Sequence, residues 1–322
     1  MGSMQLISLE RAARELCEQR SNVFVPTTIG VRVVRERLEL EQSAPVYQHD
    51  VVQKAEQLSL DASLPDIPFK VVYPVGLQAD EKVPVVFYIH GGQFLTGNIQ
   101  THRKLIDELV NRTRVAVVFP EYALAPEKKA PTQLKQLEGL FKQLPAVAKK
   151  YPLDLSRLIL AGDDVGGGMA ISLALLMHEK QQLPVYKIVL FCPVVNANFD
   201  NFSYHQYAGG YDLTREQMKW SWQQYLGMQE DPLNYLYSPL QASLEQLATL
   251  PEILIMTAEA DVVRDEGEAI ARKIRDAGGD VVQIRFQGIT HDFIVKNMLD
   301  QTNACRLAMN VAVDWIMKRR KR

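Results

Sequence analysis

The chain has 322 residues, 47% of them hydrophobic and 23% charged. That composition supports a packed core rather than disorder, and the length suits one large α/β domain with a lid or two modest domains. A net charge of −2 supplies no basic field for nucleic acid or an acidic membrane surface, and no run approaches the roughly 18 apolar residues of a membrane span.

In chain order, Met1-Gly2-Ser3-Met4 reads as a cloning leader ahead of the natural start. Residues 5–20 carry apolar residues at helical spacing, and Glu10, Arg11, Arg14 and Glu15 interrupt any signal-peptide core, so a cytoplasmic protein is expected. The stretch to about 62 has no strong strand signal. Strands are predicted at 67–74, 83–90, 114–119, 157–161, 187–192, 252–257 and 280–286, several of them continuous apolar runs suited to central strands. Helices are predicted at about 100–112, 131–149, 166–180, 265–277 and 303–319. The alternation indicates an α/β protein with a mostly parallel sheet wrapped by helices. Residues 198–245 break it: they hold Trp220, Trp222 and a helix near 214–226 but no buried-strand run. The division expected is an N-terminal cap segment (1–60), a core (61–197 and 246–322) and a cap insertion (198–245). The last strand, as a sheet edge, offers a surface for a homodimer. Lys318 to Arg322 read as a solvated helix C-terminus favoured by the macrodipole. Cys17, Cys192 and Cys305 are far apart and odd in number, which suits a reducing compartment and forms neither a disulfide framework nor a metal-ligand spacing. No cofactor motif and no metal motif is present.

Four segments carry chemistry. In LILAGDDVGGGMA (158–170) a strand runs into Gly162 and a helix begins within a few residues. Small residues at 162 and 166 permit a strained strand-to-helix elbow that pushes out its middle residue, Asp164, while the amide of Val165 opens the helix and faces any anion formed there. YIHGGQFLTGN (88–98) follows a strand, and its glycines let backbone N–H groups turn toward a reacting oxygen. TAEADVVRDEGE (257–268) and GITHDF (288–293) follow later strands. They complete the chain order nucleophile, acid, histidine, with Asp261 orienting His291 and His291 moving the proton.

With these segments in place, the chain resembles the hormone-sensitive-lipase-like branch of the α/β-hydrolase family, which includes bacterial acetyl esterases and arylesterases. The matching pieces are His90-Gly91-Gly92, EYALAPE at 121–127, the elbow Gly162 to Gly167, SPL at 238–240, DVVRDEG at 261–267 and HDF at 291–293, all in family order from about 67 to the C-terminus. The resemblance implies an eight-stranded, mostly parallel sheet flanked by helices, a helical cap, and hydrolysis of small acyl esters of short chain. It places oxyanion donors on the amides of Gly92, Gln93 and Val165, with Gly91 adjoining. Two positions depart from the family. Gln93 replaces the third loop glycine, which is tolerable with a negative φ. Asp164 stands where the family has its catalytic serine.

The second departure bears on mechanism. A carboxylate attacking an ester carbonyl would form a mixed anhydride, with a good leaving group that reverses the step. It would also pair with His291, keeping the imidazole protonated, and would occupy the oxyanion donors. Three readings follow: a carboxylesterase whose serine has been replaced, and whose turnover is impaired; a natural aspartate nucleophile, since the elbow also satisfies the pattern of haloalkane dehalogenases and epoxide hydrolases; and a non-catalytic binding protein, as in the plant gibberellin receptors that resemble this branch.

Other polar residues have plainer readings. Asp163 ties the elbow as a structural acid, and His90 orients the oxyanion loop. Paired acids at 163 and 164 suggest no metal site, because neighbours point apart and no His or Cys is close in sequence. Asp292 is expected to point away from the site. His49, His102, His178 and His205 read as surface or packing residues. Asp265 and Glu266 open the helix that follows them. Glu121 and Tyr122 hold their loop near the oxyanion segment. Trp220, Trp222, Tyr207 and Tyr211 either line an acyl or alcohol pocket or pack the cap.

Overall fold

The computed structural model describes residues 7–21, 26–43, 49–60, 64–228 and 230–319; residues 1–4, expected above to be a cloning leader, and residues 320–322 of the basic end lie outside them. In chain order the elements are α1 (Arg11–Ser21), α2 (Pro26–Gln42), β1 (Val51–Leu58), β2 (Ile67–Pro74), β3 (Val83–Ile89), α3 (Ile99–Thr113), β4 (Ala116–Pro120), α4 (Thr132–Lys142), α5 (Leu144–Val147), β5 (Leu153–Asp163) and α6 (Asp164–Glu179). There follow β6 (Lys187–Phe191), α7 (Phe202–Gln206), α8 (Arg215–Tyr225), α9 (Leu244–Leu247), β7 (Glu252–Ala260), α10 (Arg264–Asp276), β8 (Val281–Thr290) and α11 (Asn303–Met317). Among the described residues no helix is long and apolar enough to cross a membrane.

The eight strands form one sheet in the order β1-β2-β4-β3-β5-β6-β7-β8. The first two pairings, β1 with β2 and β2 with β4, are antiparallel, and the remaining neighbours are parallel. All seven strands expected from apolar runs are present. The added strand, β1, is VVQKAEQL, half-exposed along its length and at the sheet edge. An edge strand needs no apolar run, so its pattern carries little signal. At the opposite edge lies β8. Helix α2 was likewise not foreseen, and Gly30 (φ +76) kinks it near its start.

The pleat of the central strands divides the core. Val85, Phe87 and Ile89 of β3 face the layer that includes α4, α6 and α10, while Val86 and Tyr88 face the layer of α1, α3 and α11. Both faces are covered, as continuous apolar strands require. The carboxyl ends of β3, β5, β7 and β8 therefore emerge along one rim, which α2 approaches from above through contacts with α3 and α8.

Candidate active site

The last residue of β5, Asp163, is followed directly by the first residue of α6, Asp164, so strand becomes helix without a loop. Glycine alone fits the crossing: a Cβ at Gly162 would lie 2.6 Å from the carbonyl oxygens of Ile89 and Gly166, and one at Gly166 would lie 2.1 Å from that of Ile89. At the apex Asp164 has φ +48. That left-handed conformation costs a non-glycine residue about 1–2 kcal/mol and is sustained only where the surroundings over-determine it. Its side chain is fully buried.

The strained residue is aimed at the loop after β3. Asp164 Oδ2 accepts from the amide of Gly92 at 3.0 Å and from that of Gln93 at 2.6 Å. Gly91 provides room, since a Cβ there would meet Asp163 Oδ2 at 2.3 Å and Asp164 Cβ at 2.7 Å. Val165 is the second residue of α6 and buried, and its N–H is one of the first-turn groups to which a helix offers no acceptor. The negative φ expected of Gln93 is not found. Its φ is +55 and that of Phe94 is +66. The turn imposes this, because the amides of Leu95 and Thr96 both donate to Gly92 O at 3.0 Å and the residues between must curl left-handed. Ser221 Oγ of α8 donates to Gln93 Oε1 at 3.2 Å, and the Phe94 ring stacks on Tyr225 at 3.8 Å. His90 backs the loop as expected: its ring stacks on Tyr122 at 4.2 Å, and the Tyr122 hydroxyl donates to His90 O at 2.7 Å. Burial, helped by neighbouring His102, pushes the His90 pKa down to about 3, so the ring is neutral.

His291 follows β8 and is buried. Its Nδ1 donates to Asp261 Oδ2 at 2.8 Å, and Asp261 Oδ1 accepts from the amide of Val263 at 3.1 Å. Its Nε2 stands 3.5 Å from Asp164 Oδ1. The three residues that the sequence singled out are thus brought together from three strand ends. Asp292 is a correction. Its carboxylate does not point away, and Oδ2 lies 3.3 Å from His291 Nε2. Strand alternation ends at Thr290, and the turn that follows gives Asp292 a φ of +54, which folds the side chain back. Burial works against charge on His291, but the charges of Asp261 and Asp292, the hydrogen bond to Asp261 and the nearby Asp164 carboxylate prevail and raise its pKa well above the ordinary value. Burial raises the Asp292 pKa to about 6, despite the opposing pull of His291.

His102 needs a second correction, because it is more than a packing residue. It is buried beneath the elbow, with Nε2 3.2 Å from Asp163 Oδ2, while Tyr88 donates to Asp163 Oδ1 at 2.7 Å. Asp163 therefore ties the elbow to β3 and α3 rather than capping α6, where it makes no side-chain cap bond. The acids opening α10 also reach outward: Glu266 Oε1 accepts from the amides of Val195 and Asn196 at 2.7 and 3.2 Å, and Asp265 accepts from that of Ser203 at 2.8 Å.

A cavity of about 180 Å³ opens onto His291 and Asp292, lined also by Gly92, Gln93, Arg20, Asp212 and Lys296. Asp212 is the hub of its wall, accepting from both Arg20 and Lys296. Burial favours protonation, but the two cations prevail and hold its pKa down at about 2. Lys296 also donates to His291 O at 2.5 Å. No local motif marks this group, because its members are separated by up to 276 residues. Of the four aromatic residues considered from sequence, Trp220 borders a small cavity with Val31, Val34 and Gln93, whereas Trp222 packs edge-on against Phe94 and Tyr207 against Tyr211.

A family model for the alpha/beta hydrolase fold matches residues 86–295, which include every residue of this constellation except those of the N-terminal helices and Lys296. The chain belongs to the esterase branch of the α/β-hydrolase family. Among its relatives, the vegetative-specific protein H5 of Dictyostelium discoideum is 32% identical over 96% of this chain and 92% of its own length. An ethyl acetate hydrolase of Pseudomonas putida is 31% identical over 65% of each chain. The crystal structure of a thermostable esterase from Pseudomonas putida ECU1011 superposes with a TM-score of 0.91 at 32% identity, covering 96% of this α/β hydrolase and 97% of that chain.

Proposed function

We propose that this α/β hydrolase carries the site of a carboxylesterase for short-chain acyl esters and that its turnover is suppressed by Asp164. In this reading Asp164 stands at the nucleophile position, His291 is the proton carrier and Asp261 orients it. The amides of Gly92, Gln93 and Val165 are the donors for a developing oxyanion, with Gly91 leaving the space they need. Helix α2 and the 198–245 insertion form the cap. The likeness to an ethyl acetate hydrolase supports a small acyl ester as substrate.

One observation carries the suppression. Asp164 Oδ2 already holds the Gly92 and Gln93 amides, so the carboxylate sits where a substrate carbonyl oxygen would be polarised. A raised His291 pKa works in the same direction, because a histidine that stays protonated takes no proton from a nucleophile. Asp164→Ser, compared with the parent chain on p-nitrophenyl acetate and butyrate, tests this. Loss of a triad nucleophile usually leaves about 10³–10⁴-fold catalysis over water, and reversion is expected to raise kcat by at least about 10³. No gain in a folded Asp164→Ser protein would overturn the proposal.

A second reading keeps one supporting observation. With Oδ2 held by two amides, Asp164 Oδ1 makes no ordinary hydrogen bond and faces His291. Such an oxygen is placed to attack a saturated carbon: a C–O ester bond would form, the C–halogen bond would break with loss of halide, and water deprotonated by His291 would cleave the ester. Intact-mass analysis after incubation with a slow haloalkane would then show an alkyl adduct on Asp164. Absence of both adduct and halide release excludes it.

A further inference from the structure

Two buried atoms without ordinary hydrogen-bond partners, Asp164 Oδ1 and His291 Nε2, face each other 3.5 Å apart, and Asp292 Oδ2 lies 3.3 Å from the same nitrogen, with His291 and Asp292 lining the 180 Å³ cavity. Sequence spacing gives no hint of them as a set, since Asp164 is separated from the His291-Asp292 pair by more than a hundred residues. The geometry points to a divalent-cation site formed by Asp164, His291 and Asp292, suited to a borderline transition ion such as Zn²⁺ or Co²⁺.

The distances fit. Nitrogen and oxygen ligands about 2.1 Å from a tetrahedral ion stand about 3.4 Å from one another. His291 Nε2 lies 3.5 Å from Asp164 Oδ1 and 3.3 Å from Asp292 Oδ2. One ligand atom from each of the three residues also lies within 4.8 Å of the other two. One imidazole and two carboxylates are the donors that zinc and its neighbours prefer.

Each ligand is also oriented from behind. The Asp261 carboxylate accepts from the Nδ1–H of His291, which leaves Nε2 as the ligand atom once the ion displaces the proton it carries, the arrangement in which a carboxylate steadies a metal-bound histidine. The amides of Gly92 and Gln93 hold Asp164 Oδ2 and thereby direct Oδ1 toward the cluster. The left-handed turn at residue 292 does the same for Asp292. Charge favours the ion as well, because the carboxylates of Asp164, Asp261 and Asp292 crowd a single imidazole in a buried space. The cations of the same cavity, Arg20 and Lys296, are already engaged by Asp212. The fourth position faces the cavity. Where serine occupies position 164, one of the two carboxylate ligands is lost, so the site belongs to the aspartate form and does not depend on whether the chain hydrolyses esters.

The test is a titration of the chelator-treated full chain with Co²⁺, read by visible absorption, and with Zn²⁺, read by calorimetry. The expected result is one equivalent bound, with the visible bands of a four-coordinate Co²⁺ and an affinity weakened about 100-fold in both Asp292→Asn and Asp164→Ser. The exposed pair His205 and Asp200 offers an alternative donor set, 2.6 Å apart. In His205→Ala the binding is expected to persist unchanged. Absence of stoichiometric binding overturns the inference, as does binding that survives both aspartate substitutions or disappears in His205→Ala. Circular dichroism of each variant establishes that it is folded, and Asp292→Asn is close to isosteric should Asp164→Ser alter the elbow.

Discussion

Gly166 shows how little latitude the elbow has. An added methyl group would lie 2.1 Å from Ile89 O and 2.5 Å from His90 O, both of them backbone atoms of a central strand and its exit. Neither is a flexible tip that can move aside. Gly166→Ala is therefore expected to destabilise the fold by about 3 kcal/mol, through overpacking that displaces β3 from α6, and urea unfolding against the parent chain measures it. This residue was legible in the sequence, as were Gly162, Asp164, Asp261 and His291, because each sits in a short segment whose spacing follows from a tight local turn. Asp292 was not. Its expected direction assumed strand alternation, and the turn beginning at His291 breaks that period.

At the scale of elements, Asp163 clamps β5 to β3 and α3 through Tyr88 and His102. Tyr88→Phe removes one hydrogen bond to a buried carboxylate and is expected to cost about 1.5–3 kcal/mol in urea unfolding. The same clamp predicts a pH dependence. Burial lowers the His102 pKa, but Asp163 outweighs this and leaves it raised. A group raised on folding contributes fully below its unfolded value and loses that contribution as pH rises through its folded value. The stability gap between the parent chain and His102→Asn is thus expected to be wider near about pH 6 than near about pH 9, measured by urea unfolding at both; equal gaps would contradict the pairing. The central elements could be read ahead of the structure because strands covered on both faces must be apolar throughout. Edge strand β1 and helix α2 escaped for the opposite reason: each keeps an exposed side, and their sequences mix polar and apolar residues without a dominant period.

Across the whole molecule, Asp212 joins regions that are distant in sequence. It binds Arg20 at the end of α1 and Lys296 beyond β8, and Arg20 in turn reaches Glu41 of α2. Asp212→Ala would leave two cations in the cavity wall without their shared partner. Removing one member of such a buried group typically costs about 3–5 kcal/mol, and a loss of that order is expected in urea at neutral pH. The Asp212 pKa is depressed to about 2. Its contribution is accordingly present above the ordinary carboxylate range and disappears as pH falls through that value. Nothing in the sequence announces this hub, since it exists only once the N-terminal helices, the insertion and the turn after β8 have been assembled.

The hold of Gly92 and Gln93 on Asp164 has one more consequence, best put as competition. A carboxylate bound to those amides from within the chain has no translational freedom left to lose, so its effective concentration exceeds anything a dissolved acid can reach. Acetate or butyrate, the acids released from short esters, would have to displace a ligand that never leaves. The parent chain is therefore expected to be blind to its own products, with no shift in melting temperature on adding either acid. The Asp164→Ser form, its two amides vacated, should gain both a thermal shift and ordinary product inhibition.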